Sequence, residues 1–147
     1  MNHWVVDASV ALKWYLPEDD SEKAKAFYKY AMSNGAIAAP DFLLIEFTNS
    51  LWTHIKKGRL RKEQAIDILN EFREIALTRL AAQEISSSAL DIAEAINCSI
   101  YDAAYLAAAE ILDCPLVTAD AKLFNCCAQS AFASRVRLLS SWESMKY

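Results

Sequence analysis

Short apolar runs alternate along this chain with longer stretches whose apolar residues recur at helical spacing. The runs "HWVV" (3–6) and "CPLVTA" (114–119) predict buried strands, and "AIAA" (36–39), "RLAAQE" (79–84) and "RVRLLS" (135–140) read the same way with weaker patterning. Between them the spacing predicts helices over about 8–16, 20–33, 41–57, 61–77, 86–96, 101–112 and 120–128. No repeat, low-complexity segment or linker interrupts the series. Strands that alternate with helices imply an α/β fold with a parallel sheet covered on both faces, because each crossover lays a helix on the sheet.

Local signals agree with several of these helix starts. Pro40-Asp41 precedes "FLLIEFTNSLW", while Ser88 with Asp91 and Ser99 with Asp102 have the S-x-x-D spacing of a capping box. In the helix predicted over 41–57, Leu43, Leu44, Phe47, Leu51 and Ile55 form one buried stripe. Glu46 lies at its margin, from which a carboxylate reaches the rim of the sheet.

A length of 147 residues with 54% apolar content suits one domain, 1–147, with a core that needs no disulfides. No apolar run approaches a membrane span, and the N-terminus lacks the basic flank and apolar segment of a secretory signal, so a soluble, cytoplasmic protein is expected. Cys98, Cys114, Cys126 and Cys127 make no CxxC pair and the histidines are His3 and His54, which argues against structural zinc and for small thiols in a reducing compartment. A net charge of −4 argues against holding nucleic acid on a broad basic surface. The local exception is "KKGRLRK" (56–62), which as a lone feature reads first as a solvated turn between helices.

Two glycines, Gly35 and Gly58, leave no GxGxxG turn and no GxxxxGK[ST] phosphate loop. There is no GxSxG elbow, and two isolated histidines make a serine or cysteine nucleophile hydrolase improbable. What remains in quantity is carboxylate.

In an open parallel sheet the active crevice lies beyond the carboxyl ends of the strands, where strand order reverses. Asp7 directly follows "HWVV" and Asp120 directly follows "PLVTA", while Glu46 and Asp102 sit where helices can point into the same crevice. Four such carboxylates without basic partners repel one another, and a divalent cation relieves that repulsion. Magnesium or manganese suits oxygen ligands, and the waters such an ion retains suit phosphodiester hydrolysis. Each acid also has a purely local explanation: Asp7 and Asp120 as N-caps, Asp102 as part of the box begun by Ser99, Glu46 as an exposed helix residue. On pattern alone both readings stand.

The segments "VVDASV", "LLIEFTNSLW", "SIYDAAYLAAAE" and "LVTADAKL", in this order and spacing, resemble the four acidic motifs of the PIN-domain family, and in particular the VapC-type toxins of prokaryotic toxin-antitoxin pairs. The resemblance covers nearly the whole chain. It implies a three-layer α/β/α sandwich around a mostly parallel sheet of four or five strands. It carries Asp7, Glu46, Asp102 and Asp120 over as catalytic, metal-binding acids, all four present as carboxylates. It carries Ser9 and Thr118 over as hydroxyls that support the ligands or touch phosphate. The implied activity is an Mg²⁺- or Mn²⁺-dependent endoribonuclease, a homodimer held inactive by a cognate antitoxin, with RNA as substrate.

A non-catalytic module that uses "KKGRLRK" or an aromatic groove to hold RNA or a protein is the alternative from another class. A phosphoaspartate receiver ranks below both, because Asp7 is followed by Ala8 and Ser9 where paired acids are expected. The aromatic group Trp14, Tyr15, Phe27, Tyr28 and Tyr30 reads as core packing or as the lining of a groove for an antitoxin helix. The stretch "FNCCAQSAFASR" (124–135) carries no recognised motif.

Overall fold

The computed structural model of the chain describes residues 1–143. Its centre is a five-stranded sheet made of β1 (Asn2–Val6), β2 (Gly35–Pro40), β3 (Thr78–Leu80), β4 (Leu116–Thr118) and β5 (Val136–Leu138). Their order across the sheet is β3-β2-β1-β4-β5, and every pairing is parallel. The helices are α1 (Ala8–Ala11), α2 (Ser21–Asn34), α3 (Leu43–Lys56), α4 (Lys62–Arg73), α5 (Ala82–Ile96), α6 (Ile100–Ile111) and α7 (Ala121–Cys127). With the right-handed crossovers that parallel strands adopt, this order places α1 to α4 on one face and α5 to α7 on the other, the sandwich expected from the alternating pattern.

The central strands have the continuous apolar runs that burial on both faces demands: Val5, Val6, Ile37, Leu116 and Val117 are all buried. Close strand contact also explains Gly35, where a Cβ would stand 2.1 Å from the carbonyl oxygen of Asn2. Strand β2 therefore opens on the residue that lacks one. In α6 every residue from Ala103 to Ala109 is buried, because the helix packs on β1, β2 and β4 while α5 covers it from outside. The alanines of "AAYLAAA" let those layers approach closely.

Four expectations change in detail. The helix predicted from 86 begins at Ala82, where Glu84 Oε2 accepts the Ala81 N–H at 3.1 Å. Ser88 is thus an interior position of α5 rather than a cap, and "RLAAQE" yields only the short β3 before the helix takes over. The first predicted helix is one α turn followed by a 3-10 turn, Leu12–Trp14, ahead of Pro17. No helix among the described residues is long and apolar enough to cross a membrane.

The stripe expected on α3 is present, with Leu43, Phe47 and Leu51 buried. Phe47 stacks on Phe72 of α4 with ring centroids 4.0 Å apart. The cysteines are free thiols, Cys114 and Cys127 buried and Cys126 exposed. Burial pushes Cys114 and Cys127 each up to about 11, which leaves them as unreactive thiols at neutral pH.

Candidate active site

Strand order reverses between β1 and β4, since the chain builds outward from β1 to β3 and then returns to lay β4 on the other side of β1. The carboxyl ends of these two strands therefore flank the crevice that parallel sheets use for chemistry. Asp7 leaves the end of β1 and Asp120 follows the end of β4, each as the N-cap of the next helix. Glu46 lies in the first turn of α3 and Asp102 in the first turn of α6. The four acids that the sequence separates by more than a hundred positions share one end of the sheet.

Asp7 is the most constrained of them, at 8% exposure. Ser9 Oγ donates to Asp7 Oδ1 and Thr118 Oγ1 donates to Oδ2, both at 2.5 Å, while the Val10 N–H reaches Oδ1 at 3.3 Å. The two hydroxyls are themselves oriented. Ser9 Oγ accepts the Ala119 N–H at 3.0 Å and Thr118 Oγ1 accepts the Asp120 N–H at 3.0 Å. This network ties the end of β1 to the end of β4 through side chains where the backbone ladder has stopped. At Asp120, Oδ1 accepts the N–H groups of Lys122 at 2.9 Å and Leu123 at 3.4 Å.

Glu46 is held from across the crevice: the Tyr105 hydroxyl of α6 donates to its Oε1 at 2.8 Å. Tyr105 stands one helical turn after Asp102 and is buried beside Phe42, with ring centroids 5.5 Å apart. Its own ionisation is pushed far above the ordinary range by burial and by the charge of Glu46. It stays a donor. The sequence reading missed this residue, whose signal was a lone polar-tipped side chain in the apolar run after Asp102.

Electrostatics couple the acids to one another. Burial raises Asp7 above the ordinary carboxylate range against the hydrogen bonds of Ser9, Thr118 and Val10, with Asp120 adding to the rise. Burial also raises Glu46, which the Tyr105 bond opposes and the charges of Asp7 and Asp102 reinforce. Asp102 is raised by burial and then by Asp120, while Ser99 and Lys122 act the other way. Glu46 thus feels Asp7 and Asp102, while Asp7 and Asp102 each feel Asp120. First-turn positions on α3 and α6 favour a negative charge by about 0.3–1 kcal/mol, but the net rise at Glu46 and Asp102 means that desolvation and mutual repulsion outweigh it.

The donor set is carboxylate oxygen without thiol or imidazole, which fits a hard divalent cation. Among the described residues no three or more His, Cys, Asp or Glu side chains stand close enough together, as placed, to hold a metal ion. An ion such as Mg²⁺, which is bound through one or two carboxylates and keeps several waters, does not require such a group. A surface cavity of about 330 Å³ opens beside Glu46, lined also by Ala8, Ile45, Asn49, Ser50 and Tyr101.

The aromatic group divides. Phe27 is core, packed edge-on against Trp142 at 5.6 Å, and Tyr30 packs on Trp4 at 5.8 Å. Trp14, Tyr15 and Tyr28 line a larger cavity of about 510 Å³ that shares no residue with the acidic site. Phe27 and Tyr30 thus follow the core-packing reading, while Trp14, Tyr15 and Tyr28 border a surface cavity. The 124–135 stretch supplies the end of α7 and a turn leading into β5, and none of the site acids.

The PIN domain family model matches residues 4–127. Ribonuclease VapC3 of Pyrobaculum aerophilum is 35% identical over 121 residues, covering 81% of this chain and 90% of that protein. Ribonuclease VapC9 of Mycobacterium tuberculosis is 31% identical over 119 residues, covering 81% of this chain and 87% of that protein. The crystal structure of PAE2754 from Pyrobaculum aerophilum superposes with a TM-score of 0.65 at 21% identity, over 95% of this chain and 85% of that one, a likeness of fold alone. The chain belongs to the PIN-domain family, among its VapC-type members.

Proposed function

We propose that this chain is an endoribonuclease that hydrolyses RNA phosphodiester bonds with the help of Mg²⁺ or Mn²⁺ held by Asp7, Glu46, Asp102 and Asp120. The observation that carries the reading is the gathering of four carboxylates at the β1/β4 switch point, three of which, Asp7, Glu46 and Asp102, are raised in pKa by burial and by a neighbouring acid. The relatives named ribonucleases supply the substrate class. A bound divalent ion supplies Lewis acidity at a phosphoryl oxygen and lowers the pKa of a water.

The chain's own residues do the rest. Ser9 and Thr118 hold both oxygens of Asp7 in one orientation, so that carboxylate need not reorganise during the reaction. Tyr105 does the same for one oxygen of Glu46. Glu46 and Asp102, half-buried and raised in pKa, are suited to take a proton from the attacking water. The new P–O bond forms as the bond to the leaving ribose oxygen breaks, and that oxygen regains a proton. Lys122, the cation that acts on Asp102, sits at the entrance from α7.

As in the family, a cognate antitoxin, a homodimeric state and a cytoplasmic setting go with this proposal. The test is cleavage of a mixed RNA pool by purified protein with Mg²⁺, Mn²⁺ or chelator. Metal-dependent cleavage that disappears in Asp102→Asn is expected. RNA binding without cleavage, indifferent to chelator and to that substitution, would establish the non-catalytic module in its place.

A further inference from the structure

One exposed edge of α3 and the turn beyond it have no role so far. Ile45, Asn49, Trp52 and Lys56 follow one another at i, i+4, i+7 and i+11, which at 3.6 residues per turn sets them within about 60° on one face. All four are exposed, Ile45 at 70% and Trp52 at 52%. The Lys56 ammonium stands 5.4 Å from the centre of the Trp52 ring. Beyond it Gly58, at φ 71°, turns the chain, and Lys57, Arg59, Arg61 and Lys62 are all exposed. The ion pairs among the described residues involve none of these cations. In a chain of net charge −4 they form a local basic cluster outside those ion pairs.

The other end of the stripe opens on the acids. Ile45 and Asn49 line the 330 Å³ cavity together with Glu46. From Glu46 to Lys56 the helix rises about 15 Å, the reach of a few nucleotides of extended strand. An apolar and amide-lined cavity beside the carboxylates, then an exposed indole, then cations in succession is the arrangement that binds single strands, with bases on π faces and phosphates on positive charge. A protein-covered patch instead sheds charge at its centre, and this stripe runs into a basic turn.

We propose that this face of α3 and the 57–62 turn form the track that holds single-stranded RNA on one side of the scissile phosphate. Trp52 stacks on a base, the cations of the turn follow the phosphates, and the Ile45–Asn49 cavity takes the base next to the acids. The proposal rests on the ribonuclease reading above and gives "KKGRLRK" a role that its composition alone did not.

The test is a titration of fluorescein-labelled single-stranded RNA of about a dozen nucleotides, in chelator so that no turnover occurs, at several salt concentrations. Trp52→Ala weakens binding about tenfold while Trp52→Phe retains most of it. The triple variant Lys57→Ala, Arg59→Ala, Arg61→Ala lowers the slope of log affinity against log salt by about 2, at roughly 0.7 for each lost phosphate contact. Lys25→Ala, on α2, changes neither. Thermal melts of each variant show that it remains folded. Variants that bind as the parent does, with the parent's salt slope, overturn the track. So does a parent dimer that Trp52→Ala turns into a monomer, which would give this face to a second copy of the chain. Cleavage by the parent in Mg²⁺, run alongside, separates the two failures. If it cleaves and the variants bind normally, the track alone is wrong; if it neither cleaves nor binds, the ribonuclease reading falls as well.

Discussion

Asp7 and Asp120 occupy matching local positions, each following a strand and each accepting the N–H groups that open the next helix. Their surroundings differ. Asp7 is buried, with a hydroxyl on each oxygen, whereas Asp120 lies half-buried at the rim and is held through Oδ1 by the backbone of α7. Asp7 sits on the central strand of the sheet, flanked by β2 and β4. Asp120 sits one strand further out, after β4 and at the start of α7. The same capping geometry therefore yields a preorganised, desolvated carboxylate at one strand end and an accessible one at the other.

The largest expected effect is on chemistry at the buried member. Asp7→Asn keeps the shape and the Oδ1 acceptor but removes the charge, and cleavage of RNA in Mg²⁺ should fall by at least about 100-fold, the scale on which a preorganised active-site group acts. Asp120→Asn should also impair cleavage. Asp7→Asn protein with parental rates would show that the buried carboxylate is only a cap and that the two positions are equivalent.

Thr118→Val tests what links the two acids. It removes the donor to Asp7 Oδ2 and the acceptor for the Asp120 N–H in one nearly isosteric change. An activity loss of about 10- to 100-fold is expected from freeing a ligand's supporting group, with about 1–3 kcal/mol of stability lost to unpaired buried polar atoms. Parental activity with lowered stability would make the network structural only.

Capping can be separated from charge at the rim. Asparagine caps as well as aspartate, so Asp120→Asn should melt like the parent, whereas Asp120→Ala should lose about 1 kcal/mol. Urea denaturation of the two variants in chelator reads that difference. Equal stability of the two would mean that the contacts to Lys122 and Leu123 contribute nothing.

The smallest effect is a pH dependence, measured without metal. Folded Asp7 holds its proton to higher pH than an unfolded aspartate, whose pKa is about 3.9, so between those limits the native state binds more protons than the unfolded one. Its contribution to stability therefore falls as pH rises through that window, and the full penalty is present above it. Asp7→Asn has no such penalty. It should melt above the parent at neutral pH, and the gap should narrow as pH is lowered towards 4. A gap that stays constant or widens on acidification would contradict the burial-dominated shift.

Much of the fold was legible because its signals are local. "HWVV" and "PLVTA" carry the unbroken apolar runs of central parallel strands, and the Ser99 cap was visible from S-x-x-D spacing, as its 3.1 Å bond from the Asp102 N–H bears out. The same spacing at Ser88 misled, because a serine inside a helix presents the same letters as a serine before one. Glu84, reaching back to Ala81, started α5 four residues earlier than expected. The four acids were identifiable by order, but Tyr105 was not. Its bond to Glu46 spans 59 positions and depends on how α6 crosses α3.

By itself the sequence determined the alternation of elements, the lack of glycine-loop and histidine motifs, and which acids follow strands or open helices, all of which depend on residue type and short-range spacing. Tertiary structure decided which aspartate is desolvated, which hydroxyl holds which oxygen, and that Asp7, Glu46 and Asp102 are each raised by a neighbouring acid. Those properties follow from strand order and helix docking. Burial and charge coupling depend on distances in space, and only the return of the chain from β3 to β4 brings the second strand-end aspartate beside the first.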